Sequence, residues 1–198
     1  MILSDEELMM QVKLDNDSSA FESLVQRYRI PLLNFVYRFI GDQEVAQDLS
    51  QDIFIRLWMS VDTYLPVAKF TTFLYTIAKN VCLNALAKLR NSPQMQSLNE
   101  VIASQNDEDC ELQNSLSDPD NSPEKELLGM EMEQKIMKAV SRLSPEHRLV
   151  FILTEYDDLS YQDVATIIQC PVGTVASRKN TAVKMLRRYL APLREGGM

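Results

Sequence analysis

Apolar residues recur every three or four positions along most of the chain, the spacing of one face of a helix. Ser4-Asp5-Glu6-Glu7 is a capping box, with serine first and glutamate three residues on, and it opens a short helix to about Leu14. A second helix spans about Ser18 to Ile40, with Phe21, Leu24, Val25, Tyr28, Leu32, Phe35, Val36 and Phe39 inward. Pro31 lacks the N–H that bonds back one turn and predicts a kink. Gly41 predicts the stop. Asp42 begins a third helix, with Val45, Leu49, Ile53 and Leu57 inward. Thr63–Ala68, which holds Pro66, predicts a loop. A fourth helix runs from about Thr71 to Leu89, with Phe73, Leu74, Ile77, Ala78, Val81, Ala85 and Leu86 on one stripe.

The periodicity then lapses. Ser92 to Glu126 carries Pro93, Pro119 and Pro123 among Ser, Asn, Asp and Gln, and predicts an extended tether. Four more helices follow: Glu124 to Ser141; Pro145 to about Tyr156, with Ser144 as its cap; a short one to about Gln169, capped by Ser160-Tyr161-Gln162-Asp163; and Val172 or Gly173 to about Leu190. The expected fold is all-α: two small helical domains, residues 1–91 and 127–198, joined by an acidic flexible linker, 92–126.

Composition narrows the function. The chain has 198 residues, 45 % of them apolar and 24 % charged, enough for a buried core. Five glycines are too few for the tight turns of an all-β fold. Three cysteines without paired spacing and a single histidine exclude a disulfide scaffold and argue against a zinc site; no metal and no cofactor are expected. MILSDEELMM lacks a basic start and a long apolar run, so no signal peptide and no membrane insertion are expected, and a cytoplasmic location follows.

The net charge of −8 hides a division. Residues 1–95 carry −2, residues 96–131 carry −9, and residues 132–198 carry +3. The acidity sits in the tether, so the basic C-terminal block stays compatible with nucleic acid. The tether is expected to fold back, through Asn106–Asp120, on the basic face of residues 172–190. Paired-carboxylate catalysis is not expected, because most acids lie where no core holds them in place. His147 follows Pro145 at a helix start with no nucleophile beside it. The chain is read as a non-enzyme.

Three stretches carry chemistry. Leu159 to Leu190 reads as a short capped helix, a turn at Cys170-Pro171-Val172-Gly173, and a longer helix: a helix-turn-helix, or an ordinary helical hairpin with a solvated cationic face. On the last helix Val172, Val175, Ala182, Val183, Leu186 and Leu190 share one side. Gly173, Ser177, Thr181, Lys184 and Arg188 lie opposite, flanked by Thr174, Arg178 and Asn180. Hydroxyls and Arg near the helix start suit base edges, and the later cations suit phosphates. Lys179 falls on the apolar side and must snorkel. In QEVAQDLSQDIFIRLW, Asp48, Gln51 and Asp52 form a patch away from the apolar stripe, fit for a basic partner or simply a solvated face. From Tyr64 to Arg90, aromatics Phe70, Phe73 and Tyr75 precede a polar side with Thr72, Thr76, Lys79, Asn80, Asn84 and Lys88; amides, cations and rings suit unstacked bases, or the rings are core.

Together these stretches resemble the extracytoplasmic-function sigma factors of bacterial RNA polymerase. DLSQDIFIRLW is similar to the core-binding helix of region 2, KFTTFLYTIAKN to the promoter-melting and minus-10 segment, and LSPEHRLVFILTEYDDLSYQDVATIIQCPVGTVASR to region 4. The resemblance implies that Asp48, Gln51 and Asp52 contact core polymerase. It implies that the Thr63–Lys69 loop, with Tyr64 and Lys69, captures a flipped-out base of the minus-10 element. Lys79, Asn80, Asn84 and Lys88 then line the path of that single strand. Thr174, Ser177, Arg178 and Thr181 approach the duplex minus-35 element, with Lys184 and Arg188 on phosphates. It also implies an anti-sigma factor as a partner. The alternative, a stand-alone helix-turn-helix repressor, predicts dimers on a palindromic duplex and leaves the Asp48 patch without a role.

Overall fold

The computed structural model describes residues 3–91 and 123–195. Among them are eight α-helices, one 3-10 turn and no strand. The helices are α1 (Asp5–Asp15), α2 (Ser18–Ile40), α3 (Gln43–Met59), α4 (Phe70–Asn91), α5 (Pro123–Ser141), α6 (Pro145–Glu155), α7 (Tyr161–Ile168) and α8 (Val172–Glu195); Val61–Thr63 is the 3-10 turn. Most of the expected tether, including its proposed fold-back through Asn106–Asp120, lies outside the described residues.

The helix boundaries have local causes. The Ser4 hydroxyl accepts from the Glu7 N–H at 3.2 Å, and the Glu7 carboxylate accepts from the Ser4 N–H at 2.7 Å. Asp17 accepts from the Ser19 and Ala20 N–H groups and so starts α2. Asp42 accepts from the Val45 N–H at 2.9 Å. Each cap satisfies donors that a helix start otherwise leaves without partners. Gly41 takes φ +90°, which a side chain would strain, and its N–H closes α2 on the Tyr37 carbonyl at 2.7 Å. α2 runs unbroken through Pro31. Ser144 holds the cap position of α6, but its hydroxyl meets the His147 ring at 2.6 Å instead of a backbone N–H.

α1 to α4 form the first lobe. Leu24, Leu32, Phe35, Val36 and Phe39 of α2 are fully buried at its centre. The inner stripe of α3 is rotated from the expected one: Ala46 and Ser50 join Ile53 and Leu57 in the core, while Val45 and Leu49 are only partly covered. The small side chains at 46 and 50 lie on the buried side, and the Ser50 hydroxyl is satisfied by the Ala46 carbonyl. α5 to α8 form the second lobe, with Leu149, Val150, Ile152, Leu153, Val164, Ile167, Val175, Ala182 and Leu186 buried.

The two lobes are in contact. α7 lies against α4, and α5 and α6 lie against α2. The seam is rich in polar groups. Arg148 of α6 donates to the Phe39 carbonyl of α2 at 2.6 Å and also to the Ser141 and Leu143 carbonyls at the end of α5. The Arg38 guanidinium lies 4.2 Å from the centre of the Tyr156 ring. Tyr75 of α4 donates to Asp157 at 2.9 Å.

Candidate functional site

Three surfaces hold the residues singled out from the sequence, and their states differ. The first is α8. Val175, Ala182 and Leu186 are buried against the lobe, and Ser177, Thr181, Lys184 and Arg188 on the other side are exposed. Thr174 is half-buried. Arg178 is too, paired with Glu146 at 2.7 Å. Lys179 reaches out from the apolar side as expected, paired with Glu155 and sitting 5.1 Å from the centre of the Tyr161 ring. The bond to Glu155 holds its ammonium above the ordinary lysine range.

The turn before α8 is built by the chain itself. Ser160 caps α7, its hydroxyl accepting from the Asp163 N–H at 3.1 Å. α7 ends at Gln169, which adopts φ +56°, and the Cys170 N–H bonds the Ala165 carbonyl at 3.1 Å. The unit is a helix-turn-helix that buries one face of its second helix and presents the other. A helix so held can lay small hydroxyls and cations in a major groove.

The second surface is α3. Asp48 and Gln51 are exposed, and Asp52 is half-exposed, paired with Arg56 at 2.8 Å. The same side continues into apolar residues that polarity arguments miss. Ile55 is 55 % exposed, Trp58 43 % and Met59 76 %. The Trp58 ring is anchored edge-on to Phe21, 4.9 Å between centroids. Acidic and amide groups next to exposed large apolar side chains suit a protein partner with a basic rim and an apolar centre. The sequence held this signal: the 3.6-residue period that buries Ile53 and Leu57 leaves Ile55, Trp58 and Met59 outside it.

The third surface is the loop 64–69 with α4. Its rings belong mainly to the core. Tyr64 and Phe70 are buried, and Phe73 is partly covered, 5.3 Å from Tyr64. Tyr75 is buried at the seam, where burial and Asp157 push its hydroxyl above the ordinary tyrosine range. Leu65 and Val67 stand out in solvent, Val67 at 90 %. Lys13 of α1 supports the loop by donating to the Tyr64 carbonyl at 2.7 Å. Asn80, Asn84 and Lys88 are exposed.

Two lysines of this surface are engaged by the second lobe. Lys69 pairs with Asp163 at 2.8 Å. Burial raises the Asp163 carboxyl, but the bonds from Lys69 and Ser160 outweigh it and leave the group below its ordinary range. Lys79 is 8 % exposed and donates to the Ile167 carbonyl, in the last turn of α7, at 2.9 Å. A cation suits the carbonyl end of a helix. Burial lowers the pKa of its ammonium.

Among the described residues no group of acids, cysteines and histidine is placed to hold a metal ion, and no helix is long and apolar enough to cross a membrane. Residues 24–92 match the family Sigma-70 region 2, and residues 133–186 match Sigma-70, region 4. The chain is 34 % identical over 190 residues to the RNA polymerase sigma-H factor of Pseudomonas aeruginosa, covering 96 % of this chain and 95 % of that protein. It is 32 % identical over 191 residues to the ECF RNA polymerase sigma-E factor of Haemophilus influenzae, covering 96 % and 97 %. Its fold is similar to that of CnrH, solved in complex with the cytosolic domain of CnrY, with a TM-score of 0.66, 18 % identity, and 98 % and 99 % of the two chains covered. It is similar also to that of the sigma factor RpoE of Bartonella quintana, solved with the anti-sigma factor NepR, with a TM-score of 0.63, 22 % identity, and 86 % and 96 % covered. The helix-turn-helix, the exposed face of α3 and the relatives along nearly the whole chain lead to one conclusion: this protein belongs to the extracytoplasmic-function sigma factors, which serve RNA polymerase in transcription initiation.

Proposed function

We propose that the three surfaces divide the work of initiation. Asp48, Gln51 and Asp52, extended by Ile55, Trp58 and Met59, dock the chain on core polymerase. The exposed side of α8 reads the minus-35 duplex: Ser177 and Thr181, with Thr174 and Arg178 beside them, face base edges, and Lys184 and Arg188 take phosphates. The loop at 64–69 and the polar side of α4, with Lys69, Lys79, Asn80, Asn84 and Lys88, follow the single strand of the minus-10 element once it is melted. Tyr64 supports that loop from the core.

Holding one extruded base and stacking others offsets an unstacking cost of a few kcal/mol. The chain makes and breaks no bond; it is an initiation factor acting on polymerase within the cytoplasm. The solved relative held by an anti-sigma factor supports a protein inhibitor of the same kind here. Residues 1–91 act as the core-binding and minus-10 domain and 127–198 as the minus-35 domain.

The observation that carries this reading is the exposed α3 face, where charge and apolar surface adjoin. Co-elution with sigma-free core polymerase tests it. Asp48→Lys reverses a charge at an exposed position and keeps an opposite charge at Asp52, so the helix should stay folded. Its affinity for core should fall tenfold or more. Undiminished co-elution removes α3 from the interface.

A further inference from the structure

Among the residues of α8 proposed to face base edges, Arg178 is tied to another helix. Its Nη2 donates to Oε2 of Glu146 at 2.7 Å. Glu146 lies in the first turn of α6, and α6 packs directly on α8. The acid therefore sits on a stiff mount. Pro145 at the start of α6 has a fixed φ, Leu149, Val150, Ile152 and Leu153 are buried, and Arg148 bonds back to the Ser141 and Leu143 carbonyls. A carboxylate is also favoured at a helix start, where the backbone dipole is positive. At the other end of α6 its last residue, Glu155, pairs with Lys179, the neighbour of Arg178. Two adjacent residues of α8 are thus held from the two ends of α6, and α8 cannot turn about its axis without breaking one pair.

The pair is not buried away. The Arg178 side chain is 28 % exposed and that of Glu146 64 %. A guanidinium carries five N–H donors in a flat fork, so one acceptor leaves donors for another. Guanine offers O6 and N7 to such a fork in the major groove. A free arginine at the same place would sample many rotamers and carry an unopposed charge, and any phosphate would satisfy it. A carboxylate at 2.7 Å changes both conditions. It narrows the rotamers before DNA arrives, and it opposes the charge that draws the side chain to phosphates.

We propose that Glu146 is a specificity-determining positioning residue of the duplex-reading face: it weakens the general attraction of Arg178 to DNA and fixes its aim at one base pair. The proposal rests on the reading of Arg178 as facing a base edge, given above. Glu146 acts through Arg178 and contacts no base itself.

Selection by the full chain from a pool of duplexes randomised over the minus-35 element tests this, followed by anisotropy on the selected duplex and its single-position variants. Arg178→Ala should lose preference at one base pair by about fivefold or more, the discrimination of one bidentate pair. Glu146→Ala should lose about threefold or more at that same pair and leave the other positions unchanged. It should also bind a scrambled duplex more tightly, with a salt slope steeper by about one phosphate contact, as the freed guanidinium joins a phosphate. A folding defect would weaken every duplex, so tighter binding to the scrambled one excludes it. Glu146→Gln keeps an oxygen acceptor at the same reach and should retain most of the preference. The double variant should match Arg178→Ala alone, because both changes act on one contact.

Lost preference with Arg178→Ala and full preference with Glu146→Ala overturns the positioning role and leaves the reading of Arg178 standing. Full preference with both removes Arg178 from base readout, and the role of Glu146 falls with it. A further loss from Glu146→Ala in the Arg178→Ala background also overturns the proposal, because Glu146 would then act on the duplex without Arg178.

Discussion

The two surfaces proposed for DNA differ in how far the rest of the chain engages them. On α8, Ser177, Thr181, Lys184 and Arg188 are exposed and ready to meet a duplex. On α4, Lys79 is buried against α7, while Asn80, Asn84 and Lys88 are exposed, and in the preceding loop Lys69 is paired with Asp163 but still 64 % exposed. The contrast follows from what each surface must hold. A duplex is always present, so a preformed face on one rigid helix suffices. A melted strand exists only inside the polymerase complex, so one cation of its proposed path, Lys79, can stay buried until then.

This difference can be broken at several points, the largest first. Arg148 joins the lobes, donating to carbonyls at the ends of α2 and α5. Arg148→Ala leaves those buried acceptors without a partner, and urea unfolding should show a loss of about 3 kcal/mol. A loss under about 1 kcal/mol would mean that water replaces the guanidinium and the seam contributes little.

Replacing Lys184 and Arg188 together by Ala should weaken binding to a minus-35 duplex about tenfold and reduce the salt slope by about two phosphate contacts. Binding to single-stranded DNA should change far less. Equal losses on both probes would erase the distinction between the surfaces.

Smaller effects sharpen the frame that holds the two faces. Asp17→Ala removes the cap of α2 and should cost about 1 kcal/mol in thermal or urea unfolding, with DNA binding unchanged. Gln169→Gly should relieve the left-handed backbone in the helix-turn-helix and stabilise the second lobe by up to about 1 kcal/mol. A destabilised Gln169→Gly would show that the side chain, not the backbone, decides that turn.

Much of this architecture was legible in the sequence, for physical reasons. Caps are local, so Ser4, Asp42, Gly41 and Ser160 announced helix ends from a few residues each. Strong helical period marked which side of α2 and α8 turns inward, except at Val172, which the period placed inward but which stands exposed at the first position of α8, where the turn leaves nothing packed over it. The rotated stripe of α3 was harder to read, because Ala46 and Ser50 are small and carry little apolar signal, though both are buried. The kink expected at Pro31 did not interrupt α2.

The seam was not legible. Residues at 38, 75, 79, 148 and 157 meet across long stretches of chain, and no local pattern marks a lysine that will cap a distant helix. For the same reason Tyr64 and Lys79 read from sequence as open, strand-facing residues, whereas both are buried. The α3 patch proposed for docking was half legible: its polar members stand out in the sequence, while Ile55, Trp58 and Met59 differ from core positions only in their exposure.

Run-off transcription tests the central claim most directly. The native chain and Asp48→Lys are added separately to sigma-free core polymerase on fragments of bacterial genomic DNA. The account predicts discrete start sites with the native chain and none with Asp48→Lys, while circular dichroism shows equal helix content in both. Start sites of equal strength with Asp48→Lys would contradict it, because initiation would then not depend on the α3 face.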